Sequence, residues 1–124
     1  MTVDARYAFL LRLARDAGKV ACNFWNRRAA LTVELKGTQD FVTVADREVE
    51  TFIRDRIARA FPGDHFLGEE TAGSFTGNAE HLWIVDPIDG THNFLRGVAF
   101  WNVSIAYVED GVRTLGAVYD PSHD

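Results

Sequence analysis

Cysteine occurs once in this chain, at Cys22, which excludes an intramolecular disulfide and any zinc site built from paired cysteines. A single thiol fits a reducing, cytoplasmic setting. No run of about eighteen apolar residues is present to cross a bilayer, and the N-terminus has no apolar signal-peptide core, so neither a membrane nor export by a leader is expected. Positive charge is also scarce. Thirteen Lys and Arg stand against 18 Asp and Glu, a net charge of -5 that would repel a nucleic-acid polymer. If such a protein handles phosphate, it needs a positive charge from elsewhere, most simply a bound cation. Interdomain linkers, internal repeats and low-complexity tracts are absent too, and residues 1–124 are read as a single domain. At this length roughly two thirds of the unfolded surface can be buried.

From Val3 to about Arg28, Tyr7, Leu10, Leu11, Ala14, Ala17, Ala21, Phe24 and Trp25 follow the three-and-four spacing of a helical face. Thr32–Leu35, the polar turn 36–40 and Phe41–Thr43 read as a small hairpin. Thr43 then caps a second helix, with Asp46 in its first turn and Val49, Phe52, Ile53, Ile57 and Ala60 repeating at helical intervals before Pro62-Gly63 stops it. His65–Gly68 is a short strand delivering Glu69-Glu70, followed by a Gly/Ser/Thr-rich loop. Leu82–Val85 lacks alternation and is expected to be covered on both faces. Residues 90–96 suit about two turns of helix, and Phe100–Val108 and Val112–Tyr119 pair through the Asp110-Gly111 turn.

The stretch WIVDPIDGT, residues 83–91, carries the chemistry. Pro87 fixes its own φ and holds Asp86 extended, so the first carboxylate closes a strand and the turn brings Asp89 close to it. Two like charges about 4 Å apart repel by ~4 kcal/mol at an effective dielectric of 20, which calls for a cation between them. The donors on offer, Asp86, Asp89, main-chain carbonyls and Glu69 from another strand end, are hard oxygens suited to Mg²⁺. Gly90 and Thr91 open a helix whose first amides can meet an anion.

Each of these residues also has an ordinary structural reading. Asp89 could simply cap a helix, Glu69 and Glu70 could be solvated loop acids, and Asp46 could support the Thr43 cap. Lys36 reads as a turn lysine, and Cys22 as a small helix residue. His65, His81, His92 and His123 lack ligand spacing and suit surface or loop roles, while Trp25, Trp83 and Trp101 suit the core.

Taken together, DFVTVAD (40–46), FLGEET (66–71) and WIVDPIDGTHNF (83–94) resemble, in order and spacing, the inositol monophosphatase family of Mg²⁺-dependent, lithium-sensitive phosphatases. The resemblance implies an α/β (α+β layered) fold, with two N-terminal helices packed on a largely antiparallel sheet. It implies that Glu69, Asp86 and the Ile88 carbonyl hold one Mg²⁺, and that Asp86 and Asp89 share a second. Gly90 and Thr91 would bind phosphate through main-chain amides, Asp46 and the Thr91 hydroxyl would act on the attacking water, and Lys36 and Glu70 would lie nearby. A small phosphorylated substrate follows, with inositol 1-phosphate first and histidinol phosphate, 3′-phosphoadenosine 5′-phosphate and fructose 1,6-bisphosphate as alternatives. A homodimer is also compatible with the resemblance.

Family members are about twice as long, and their second half carries a further metal-binding aspartate in a Trp-Asp-x-Ala-Ala-like motif that this sequence lacks. The chain is therefore expected to be the N-terminal portion of such an enzyme, with an incomplete second metal site, an open sheet edge and slow turnover at best. Two rivals remain. A haloacid-dehalogenase-type phosphatase would use Asp86 as a nucleophile, but its signature has one residue between the acids rather than Pro87 and Ile88. A non-catalytic metal-binding module would keep the acids without turnover.

Overall fold

The computed structural model describes residues 3–28, 38–68, 80–121 and 123. In chain order the elements are α1 (Val3–Asn26), α2 (Thr38–Ala60), β1 (His65–Leu67), β2 (His81–Asp89), α3 (Thr91–Arg96), β3 (Asn102–Glu109) and β4 (Val112–Tyr119). The strands form one sheet in the order β1-β2-β3-β4. β1 runs parallel to β2, and the β2–β3 and β3–β4 pairs are antiparallel, which gives the expected largely antiparallel sheet. Asp110 and Gly111 both adopt positive φ, 51° and 82°, as the tight hairpin turn between β3 and β4 requires.

α1 buries Arg6, Phe9, Leu10, Leu13, Ala14, Ala17 and Ala21, a stripe at three- and four-residue spacing. Tyr7 and Leu11, expected on that stripe, are 51% and 43% exposed. The buried face is therefore turned by about one position, because it includes a charged residue, Arg6, that an apolar pattern passes over. α2 buries Ala45, Val49, Ile53 and Ile57 at four-residue steps. It begins at Thr38, so Phe41–Thr43 are helical rather than the second arm of a hairpin, and Thr43 does not start the helix. The β-branched residues there disfavour helix by well under 1 kcal/mol each, which tertiary context readily overrides. The first arm of that hairpin, Thr32–Leu35, lies outside the described residues.

One face of the sheet carries Trp83 and Val85 from β2 and Val103, Ile105 and Tyr107 from β3, all buried with the two helices in a single core cluster. Aromatic rings interlock within it: Trp83 lies 5.0 Å from Tyr107 between centroids, and Phe9 meets Phe61 edge-on at 5.1 Å. On the other face, large apolar side chains are exposed. β2 is not covered on both sides, since Ile84 is 39% exposed between buried Trp83 and Val85, and Val118 on β4 is 71% exposed. Among the described residues β4 pairs with β3 alone.

Candidate metal centre

Asp86 and Asp89 are three positions apart, and in a regular strand an odd offset puts side chains on opposite faces. β2 does not turn away at Pro87, as its sequence suggests, but continues to Asp89. Asp86 pairs with Ser104 and Asp89 with Asn102, so the step from one acid to the next uses one residue more on β2 than on β3. That is a β-bulge, and it holds the proline whose missing N–H a regular ladder would not tolerate. The burial sequence registers the slip. Alternation holds through Val85 (buried) and Asp86 (exposed), then Pro87 and Ile88 are buried in succession, and Asp89 is exposed again. The two carboxylates therefore emerge on the same, solvent-facing side.

Beyond Asp89 the chain enters α3 through Gly90, whose φ of +89° is left-handed. A Cβ here would lie 2.9 Å from the Phe100 carbonyl oxygen, so conformation and close approach both require glycine. Gly90 rather than Asp89 caps the helix, and no side chain caps it. The Thr91 hydroxyl donates to the Ile88 carbonyl at 3.3 Å, joining two residues assigned to the same site. Asn93 Nδ2 donates to the Phe100 carbonyl at 3.0 Å and ties the returning loop to α3. Asp89, Gly90, Asn93, Trp101, Asn102 and Asp120 line a cleft of ≈ 250 Å³ beside these groups.

Of the other predicted site residues, Asp46 is half-buried well inside α2 rather than in a first turn. Lys36, Glu69 and Glu70 lie outside the described residues. Among the described residues no three acidic, histidine or cysteine side chains gather closely enough to hold a metal. The frame leading to Glu69 is nevertheless described. Leu67 of β1 pairs with Ile84 of the parallel β2, and Glu69 and Asp86 each follow that pair by two residues in sequence. The described donors suit a hard cation: two solvent-facing carboxylates and the Ile88 carbonyl, which keeps acceptor capacity beside Thr91 because a carbonyl has two lone pairs.

At the far end of β2 lies a polar cluster that sequence reasoning missed. Arg6 donates through Nη2 to Asp64 Oδ1 at 2.8 Å and through Nε to Oδ2 at 3.0 Å, and both side chains are 3% exposed. Trp83 Nε1 donates to the same Oδ2 at 2.8 Å. Burial alone would push the Asp64 carboxyl up, but the bonds from Arg6 and Trp83 outweigh it and hold it below the ordinary carboxylate range. Arg6 also lies over the rings of Phe61 and Tyr107. Burial, followed by the bond to Glu109, pushes the Tyr107 phenol up to about 12. The Tyr107 hydroxyl donates to Glu109 Oε1 at 3.1 Å, so its 2.6 Å contact with His81 Nδ1 requires the imidazole to supply the proton. The one available signal was a charge four residues before Leu10 on the core stripe of α1.

The solvent-facing acids on the bulge and the glycine-opened helix beyond them thus sit on a layered α+β frame. The chain matches the sequence model of the inositol monophosphatase family over residues 3–124 and belongs to that family. It is 38% identical over 124 residues to an inositol-1-monophosphatase of Mesorhizobium japonicum, covering 100% of this chain and 47% of that one. With a histidinol-phosphatase of Mycobacterium tuberculosis it shares 50% identity over 94 residues, 74% of this chain and 35% of the relative. In structure it resembles inositol monophosphatase-II of Staphylococcus aureus, with a TM-score of 0.82 and 35% identity over 97% of this chain and 43% of that one. The chain thus spans less than half the length of these relatives.

Proposed function

We propose that the chain contributes the metal and phosphate site of a Mg²⁺-dependent phosphate monoester hydrolase acting on inositol 1-phosphate or a related small phosphate ester. The observation that supports this best is the bulge in β2, which turns Asp86 and Asp89 to one exposed side. In this reading Glu69, Asp86 and the Ile88 carbonyl hold one ion, and Asp86 and Asp89 share a second. Bound Mg²⁺ would supply Lewis acidity, lowering the pKa of water and offsetting phosphoryl charge. The Gly90 and Thr91 amides, at the start of α3, bind and orient the phosphate. Asp46 and the Thr91 hydroxyl hold the water that attacks phosphorus, and Lys36 and Glu70 stand around the site. Relatives named for inositol 1-phosphate and histidinol phosphate keep both esters as candidate substrates. A cytoplasmic location and a homodimer belong to the same reading.

Calorimetric titration with Mg²⁺, run beside phosphate-release assays on inositol 1-phosphate, histidinol phosphate, 3′-phosphoadenosine 5′-phosphate and fructose 1,6-bisphosphate, tests it. Weak Mg²⁺ binding with slow, Mg²⁺-dependent release is expected. Binding without release from any ester favours a non-catalytic metal-binding module. An absence of binding removes the cation site.

A further inference from the structure

None of the eight residues of β4 is buried, whereas β3 beside it buries four. Leu115, Ala117 and Tyr119 turn toward the core and pack against it only in part, and Val118 on the other face is exposed. α1 covers the strand unevenly. At Gly18 it lies so close that a Cβ would run into the Tyr119 ring. Nearer its N-terminus, Tyr7, Leu11, Ala14 and Arg15 line, with residues 116–119 of β4, a groove of ≈ 440 Å³.

Natural proteins commonly blunt an edge strand with charges, proline, a bulge or shortness, because its unpaired N–H and C=O groups invite another chain. β4 has eight residues, no proline and one charge, Arg113, and its register shift against β3 lies beside the hairpin turn. Residues 115–119 therefore form a regular, uncharged ladder, and among the described residues it pairs with β3 alone. Extended polypeptide suits such a place: its main chain continues the ladder, and every second side chain enters the groove. The lining narrows the chemistry. Tyr7, Leu11 and Ala14 suit apolar side chains, and Arg15, the charged residue of the lining, suits an acid. A second copy of β4 fits less well, since it brings Arg113 and no acid.

The relatives contain polypeptide in a position to supply this segment. The chain spans less than half the length of the Mesorhizobium and Staphylococcus proteins, so more than half of each lies outside the shared frame. We propose that the groove between α1 and β4 binds, as an added strand, an extended and alternately apolar segment equivalent to the part of these relatives that the chain does not match. This surface is independent of the cation site, which the Mg²⁺ titration tests separately.

Co-expression of the chain with the portion of the Mesorhizobium japonicum inositol-1-monophosphatase that it does not match tests the proposal, and the two polypeptides should elute as a 1:1 complex. Leu11→Lys and Val118→Lys each place a charge in the groove at a position already exposed to water. Both should leave the chain's own circular dichroism and melting temperature near wild type while weakening the complex by about tenfold or more. His65→Lys, exposed on β1 at the opposite edge of the sheet, should bind as wild type. A second polypeptide that stays insoluble or separates from the wild-type chain overturns the inference, as does a complex that withstands both groove variants or is lost equally in His65→Lys. A wild-type chain that dimerises alone, and that either groove variant returns to monomer, also overturns it by giving the groove to a second copy.

Discussion

At the His81 end of β2, a hydrogen-bonded Arg6–Asp64–Trp83 group and a Tyr107–Glu109 pair meet where Arg6 lies over the Tyr107 ring, with the Arg6 and Asp64 side chains 3% exposed. At the Asp89 end, two carboxylates face solvent on a bulge beside a glycine in left-handed geometry. Charge at the first end is engaged inside the protein by Arg6 and Trp83. At the second the carboxylates face solvent. One nine-residue strand thus joins a buried, bonded end to a solvent-facing one.

The sharpest way to break this contrast is at the closed end. Asp64→Ala leaves the Arg6 guanidinium buried without its partner, and such a loss typically costs about 3–5 kcal/mol. Urea unfolding should read that change, and a loss below about 1 kcal/mol would mean the pair is not structural. Its pH dependence has a definite sign. The native carboxyl titrates below its unfolded value of about 4, so the pair's contribution is full above that pH and is lost as pH falls through the depressed native value.

The open end should respond to ligand rather than to packing. If Asp86 and Asp89 hold Mg²⁺, cation at about 100 times Kd should stabilise the chain by about 2.7 kcal/mol, and Asp86→Asn should abolish that gain. Without Mg²⁺ the same substitution should change stability by far less than that, as expected for an exposed residue. Thermal melts with and without Mg²⁺ give both readings. A variant that keeps the full Mg²⁺ shift would dissociate Asp86 from the site.

The two ends also differed in how far sequence revealed them. Asp86 and Asp89 stand out in sequence because a proline follows the first and a glycine the second. What brings them to one side was not legible, since the bulge depends on where Ser104 and Asn102 fall in the partner strand. The helices were legible from periodicity, but the stripe on α1 was misplaced because its key residue is an arginine. Arg6 reaches an aspartate 58 positions away and Trp83 reaches the same aspartate across 19, and no local pattern encodes such pairs. Phe41–Thr43 failed for the opposite reason: local β-propensity was read, and the helix carrying Ala45, Val49 and Ile53 extended over it.

Tyr107→Phe probes the closed end more gently. It removes the bonds to Glu109 and His81 and should cost about 1 kcal/mol at neutral pH. Its clearer signature is alkaline. The folded protein keeps the phenol proton to about 12, whereas an unfolded tyrosine releases it near 10, so wild-type stability should hold below pH 10 and fall as pH rises toward 12. The variant should lose that part of the decline. Parallel slopes in both proteins would place the alkaline sensitivity elsewhere.

The smallest effect is expected on the bare face of the sheet, at Val118, which is 71% exposed. Thr keeps the branched shape that suits a strand, and a residue already in water loses little by gaining a hydroxyl, so Val118→Thr should stay within about 0.5 kcal/mol of wild type. That holds only while the face remains in contact with water. If a second copy covers it in solution, the hydroxyl becomes a buried polar group, the cost rises above about 1 kcal/mol, and the melting temperature of the wild-type chain climbs with protein concentration. Melts across a hundredfold dilution series separate the two cases, and a concentration-dependent wild type would add an intermolecular face to the contrast between the two ends of β2.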